Sequence, residues 1–146
     1  MTISRREICF LLPGLVPVAA ALAAVAADDH SLPSASYPFD KLSMEILDHA
    51  EMRRVLKGKL ATGEALEVHE TTLPAGAAPH PPHHHLHSEM WLVREGTVEL
   101  TVNGSSYRLG PGGVGIVHSN DEHGIRNVGD TAAAYFVVAV GPGADA

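Results

Sequence analysis

The sequence predicts an all-β fold built as one sandwich or barrel. Three observations carry this. Beyond Arg54, short apolar or alternating runs are separated by turn signals at roughly every tenth residue, with no apolar helical stripe among them. From Leu66 to Thr71, Leu66, Val68 and Glu70 alternate with Glu67, His69 and Thr71, which is the two-residue period of a strand. Asn103-Gly104 is a strong hairpin signal, because both central residues of a type I′ turn need positive φ.

Residues 1–27 read as a removable export signal. Ser4-Arg5-Arg6-Glu7 is a basic start, an apolar run follows from Ile8 to Ala24, and Ala24-Val25-Ala26 fits an A-x-A cleavage site. The arginine pair resembles a bacterial twin-arginine signal, although Ile8 and Cys9 stand where the consensus prefers Phe and Leu. Pro13, Gly14 and Pro17 interrupt the run and argue against an uncleaved anchor. The expected location is therefore periplasmic or secreted, with no stable membrane association once the signal is removed.

Residues 28–54 read as a leader arm. The Pro/Ser-rich stretch from Asp28 to Lys41 is expected to be extended or partly disordered. Ser43 to Arg54 fits either a short strand with a turn or a single helical turn. The barrel domain is placed at 55–146. Strands are expected over Val55–Leu60 and Leu66–Leu73, around a turn at Thr62-Gly63, and Pro74-Ala75-Gly76 stops the second. Met90–Glu95 and Thr97–Val102 meet at Glu95-Gly96, and Ser105–Leu109 returns from the hairpin. Val114–Val117, His123–Val128 and Thr131–Val140 complete the set, divided by Gly110-Pro111-Gly112-Gly113, Ser119-Asn120-Asp121-Glu122 and Gly129-Asp130.

The formal charge is −7, and no basic cluster stands in the body. Nucleic acid and anionic membranes are therefore poor partners, and a small molecule is the expected one. Cys9 is the single cysteine, and it lies in the signal. A processed chain would have neither disulfides nor thiolate ligands, leaving His, Asp and Glu to hold any metal.

Five of the ten histidines crowd into the segment Pro79 to Glu89, as His80, His83, His84, His85 and His87. Imidazoles beside a carboxylate suit zinc and the other divalent transition metals. His83 and His85 share parity, so on a strand both rings leave the same face. Glu89 shares it too, but four residues of extended chain span roughly 13 Å, too far for a common ion at about 2 Å. The chain must therefore turn at Leu86-His87-Ser88. A further ligand has to come from elsewhere, and His123, opening a later strand after a turn, is the natural candidate.

These residues resemble the cupin family. Its first motif, a Gly, then His-x-His, a Glu three or four residues on and a Gly after six more, is met by Gly76, His83, His85, Glu89 and Gly96. The gap from Gly76 to His83 is one residue longer than usual. Its second motif is met by Gly112, His123 and Asn127, with His118 replacing the usual Pro and Asn120 the usual Gly. The two motifs span 76–96 and 112–127. The resemblance implies a small jelly-roll barrel holding one divalent ion (Mn, Fe, Ni, Co, Cu or Zn) on His83, His85, Glu89 and His123, and it selects His123 over His118 as the ligand. It also implies a homodimer.

By parity, Trp91 and Val93 follow Glu89 into the cavity, and Ile125 and Asn127 follow His123. Asn127 reads as a structural hydrogen-bonding residue. His118 is a rim residue able to act as acid or base, and Glu89 has a second role as base in some cupin dioxygenases, so these two are the candidate catalytic groups. His80, His84 and His87 read as solvated loop residues, and His30, His49 and His69 as surface positions. Three functions are expected in turn. The first is a metal-dependent enzyme, most concretely a dioxygenase acting on a small enolic or phenolic compound, with isomerase or lyase chemistry next. The second is a non-catalytic binding module, and the third a periplasmic buffer storing metal on the His80–His87 tract.

Overall fold

The computed structural model describes residues 31–146. The signal expected over 1–27, and Asp28 to His30, lie outside the described residues. Nine antiparallel strands are seen there: β1 (Met44–Leu47), β2 (Ala50–Lys59), β3 (Ala65–Leu73), β4 (Ser88–Glu95), β5 (Val98–Val102), β6 (Ser105–Leu109), β7 (Val114–Val117), β8 (His123–Asn127) and β9 (Ala133–Val140). They form a six-stranded sheet in the order β1-β2-β3-β9-β4-β7 and a three-stranded sheet in the order β6-β5-β8. The two close as a jelly roll.

Between the sheets, the inward residues of each strand alternate with outward ones. Leu73, Trp91, Val98, Leu100, Val117 and Tyr135 are each at most 3% exposed, and full burial of such a side chain contributes about 1.5–3 kcal/mol. Local chemistry sets the register. Asn103 (φ 46°) and Gly104 (φ 80°) make the β5–β6 turn, so Val102 pairs with Ser105. Gly96 turns β4 into β5 at φ 73°. A Cβ there would lie 2.6 Å from Ala133 Cα, so both backbone conformation and space exclude any other residue.

The N-terminal part joins the sheet. Ser43 to Arg54 takes the strand-and-turn form and not the helical turn: β1 and β2 make a hairpin, and β2 continues past position 54, so the limit drawn at 55 falls inside a strand. The Pro/Ser stretch is docked. Leu32 N donates to Lys59 O at 2.7 Å, and the Phe39 ring lies under the guanidinium groups of Arg53 (4.9 Å) and Arg94 (5.1 Å). Beneath them Glu70, fully buried, pairs with Arg94 Nη2 at 2.7 Å and Arg53 Nη1 at 3.5 Å. A buried carboxylate needs such partners, and they tie the leader to the outside of the sheet.

Candidate metal centre

Three short backbone links bring the two histidine segments together. His83 and His123 exchange both backbone hydrogen bonds (His83 N to His123 O at 2.9 Å, His123 N to His83 O at 2.8 Å). Asn120 N donates to His85 O at 2.8 Å, and Asn120 takes φ 65° to do so. This is the left-handed conformation for which Asn substitutes acceptably for Gly. The chain bends at Leu86 and His87 before β4 begins at Ser88, which returns Glu89 to the histidines as reach required.

The result is a cluster of four. The ring centroids of His83, His85 and His123 form a triangle with sides of 5.2, 4.7 and 4.7 Å. Glu89 Oε1 lies 3.2 Å from His85 Nε2, and Glu89 Oε2 lies 3.6 Å from His123 Nε2. The backbone fixes two tautomers. His85 Nδ1–H donates to His87 O at 2.9 Å, and His123 Nδ1–H donates to Asp121 O at 2.8 Å. With Nδ1 of each ring bound to a carbonyl, it is Nε2 that faces the others, the arrangement metal-binding histidines need. His83 Nδ1, His85 Nε2 and His123 Nε2 are buried without a hydrogen-bond partner. Unpartnered acceptors converging on a carboxylate fit a cation, and the three imidazoles could hold a metal ion with Glu89 beside them. Burial, followed by neighbouring His80, His123 and His85, pushes the His83 imidazole down to about 4 against an opposing pull from Glu89. It is thus neutral and able to ligate at neutral pH.

Glu89 and His123 of the cluster line a cavity of about 230 Å³ between the sheets. Trp91, Ile125 and Val137 give it apolar walls, and Leu47 and Met52 of the β1–β2 hairpin form part of its lining. Residues assigned from sequence to a leader arm thus shape the site. Val93 and Asn127, expected in the cavity, are buried below it. Asn127 Nδ2 donates to the carbonyls of Leu73 (3.0 Å), Pro74 (3.0 Å) and Thr131 (2.7 Å), and its Oδ1 accepts from Gly129 N (2.9 Å). This is the structural role read from the sequence.

Other histidines fall differently from expectation. His69 is no surface residue: it lines the cavity beside Thr71 and Tyr135. Its Nδ1 lies 3.5 Å from Glu67 Oε1. Burial lowers its pKa, with Glu67 and Glu89 pulling the other way. His69 shares strand parity with Thr71 and Leu73, both buried, so it faces inward with them. His87 is no solvated loop residue either, since its ring stacks on His85 at 3.6 Å. His118 is exposed and lines a separate depression beside Tyr107, Val114 and Ile116, away from the cavity where an acid or base would have to act. His84 is exposed as expected, and His80 is an exposed residue whose ring meets His83 edge-on at 4.3 Å.

Comparison with known proteins agrees with this fold. A cupin domain model matches residues 69–139. L-ectoine synthase of Bordetella parapertussis is 40% identical over 73 residues, which cover 49% of this chain and 53% of that protein. The chain spans about half the length of the curated relatives it matches. Among solved structures, an RmlC-like cupin from Shewanella frigidimarina superposes with TM-score 0.64 at 19% identity, covering 80% of this chain and 97% of the other. The polyketide cyclase RemF from Streptomyces resistomycificus superposes with TM-score 0.58 at 17% identity, covering 75% and 79%. These two show likeness of fold. Residues 69–139 are thus similar to a cupin domain in sequence, and the fold around them is similar to that of known cupins.

Proposed function

We propose that the chain is a metal-dependent cupin enzyme that moves a proton on a small substrate, with isomerase or lyase chemistry. The observation that carries this is one cavity lined by Glu89 and His123 of the cluster together with His69, Thr71 and Tyr135. A bound ion supplies a Lewis acid able to polarise a carbonyl or hydroxyl oxygen.

The chain's own residues do the rest. His83, His85, Glu89 and His123 would hold the ion. His69, neutral through burial, accepts or returns a proton, with Glu67 orienting its ring. Burial raises the Tyr135 phenol well above its ordinary value, so it stays protonated and donates a hydrogen bond. Trp91, Ile125 and Val137 exclude water. The cavity is smaller than the roughly 300–1,000 Å³ of drug-sized sites, so the substrate is a small metabolite.

These proton-handling walls favour this reading over the dioxygenase version. Export of the chain to the periplasm belongs to the same proposal. So does a homodimer, for which the outward Leu92, Val114 and Ile116 of β4 and β7 offer an exposed apolar surface.

The test is to load the purified protein with Fe(II), Mn(II), Co(II) or Zn(II) and offer a panel of small hydroxy and oxo acids in D₂O. NMR reads deuterium exchange or loss of water while an electrode follows O₂. Proton exchange without O₂ uptake, lost in His69→Gln with the metal retained, supports the proposal. O₂ uptake coupled to turnover supports the dioxygenase, and binding without turnover supports the binding module.

A further inference from the structure

The bend that returns Glu89 to the cluster also brings in a histidine that the four-ligand reading leaves unused. The His87 side chain is only 16% exposed, and it makes three contacts with two of the four ligand residues. Its carbonyl accepts the His85 Nδ1–H at 2.9 Å. Its ring lies parallel to that of His85, with centroids 3.6 Å apart and planes inclined by 15°. Its Nε2 stands 3.3 Å from Glu89 Oε1, and a carboxylate only accepts, so Nε2 carries the proton.

His85, His87 and Glu89 together form a second set of donors close enough to hold a cation. The stacking decides against that use of His87. An imidazole lone pair lies in the ring plane, and an ion shared by two stacked rings would sit well outside both planes. His87 Nε2 is moreover already committed as a donor to Glu89. The same bond fixes the carboxylate rotamer, leaving Glu89 Oε2 on the side of His123 Nε2, 3.6 Å away.

We propose that His87 is a positioning residue of the metal centre: it orients His85 through its carbonyl and ring and Glu89 through its Nε2–H, without ligating the ion. The inference rests on the reading that His83, His85, Glu89 and His123 hold a metal. Groups that orient metal ligands in this way are worth about tenfold to a hundredfold in metal affinity.

The experiment uses the full chain, stripped of metal and titrated with Co(II). Affinity is read by competition with a chromophoric chelator, geometry by the visible d–d bands, and the number of bound imidazoles by X-ray absorption. His87→Phe keeps a stacking ring and removes the donor, whereas His87→Gln keeps a donor and removes the ring. Circular dichroism of the metal-free variants checks that each folds, and His87→Ala stands in if His87→Phe does not.

The expected result is at least a tenfold loss of Co(II) affinity with altered d–d bands in His87→Phe. Partial recovery is expected in His87→Gln, with an unchanged imidazole count throughout. Wild-type affinity and bands in every variant would overturn the proposal and make His87 a bystander. An imidazole count lower by one would overturn it by making His87 a ligand. If the wild-type chain itself fails to bind one Co(II), the metal reading falls and the proposal falls with it, an outcome distinct from the other two.

Discussion

His85 Nε2 and Glu89 Oε1 face each other at 3.2 Å, while His85 Nδ1–H is donated to His87 O. An imidazole nitrogen and a carboxylate oxygen at this distance need a positive charge between them, whether a proton or a metal ion. The backbone thus builds an electrostatic demand for a cation into the fold. The two Nδ1–H bonds to His87 O and Asp121 O make that demand a property of the loop conformations.

The pH dependence of the metal-free protein follows from the same crowding. His83 has a native pKa pushed down to about 4 from its ordinary 6.5 by burial and then by its neighbouring histidines. The unfolded chain therefore takes up this proton first as pH falls. Its contribution to stability is fully present above pH 6.5 and is lost progressively from there down through about 4. His69 and His87, also lowered by burial, act in the same direction. Urea unfolding with a chelator present should show midpoints falling across this window, and His83→Asn should flatten the fall. A midpoint that rose as pH dropped would contradict the burial argument.

Asn127→Ala should cost roughly 3 kcal/mol of stability, because the carbonyls of Leu73, Pro74 and Thr131 lose their shared donor. The variant should still bind one metal ion, since Asn127 lies below the cavity and makes no contact with the cluster. Chemical unfolding and a metal titration on the same sample check both halves.

Gly96→Ala should destabilise by about 3 kcal/mol or more, through both the positive φ and the clash with Ala133. The clash falls on backbone, which cannot move aside as a side-chain tip would. Thermal unfolding reads this directly. Gly104→Ala is a useful comparison, because a Cβ there meets nothing within 4 Å, and it should cost less.

The strands from Ala65 onward were legible in the sequence to within two residues at each end. Their alternation and turn residues act locally: Asn103-Gly104 needs nothing distant to fold back. Reach and parity also located His83, His85, Glu89 and the bend after His85. What escaped is what depends on distant partners. β2 carries Glu51, Arg53, Arg54 and Lys57, and it reads as solvated until Glu70 of β3 supplies a buried counter-charge for Arg53. His69 escaped for a related reason. A cavity wall turns polar groups inward, so the inner face of β3 carries His69 and Thr71 while Leu66 and Val68 face out, the reverse of an ordinary core. His118 occupies a motif position, but the exposed turn it begins points it elsewhere.

The central claim, that four residues form one metal site, is tested most directly by equilibrium Co(II) binding to the metal-stripped chain alongside Glu89→Ala, His123→Ala and the double variant His80→Ala/His84→Ala. The account predicts one tightly bound ion in the wild type, loss of at least a hundredfold in affinity for either single variant, and an unchanged stoichiometry of one for the double variant. Several equivalents bound by the wild type, little affected by Glu89→Ala or His123→Ala and reduced by the double variant, would contradict it and make the histidine tract a metal store.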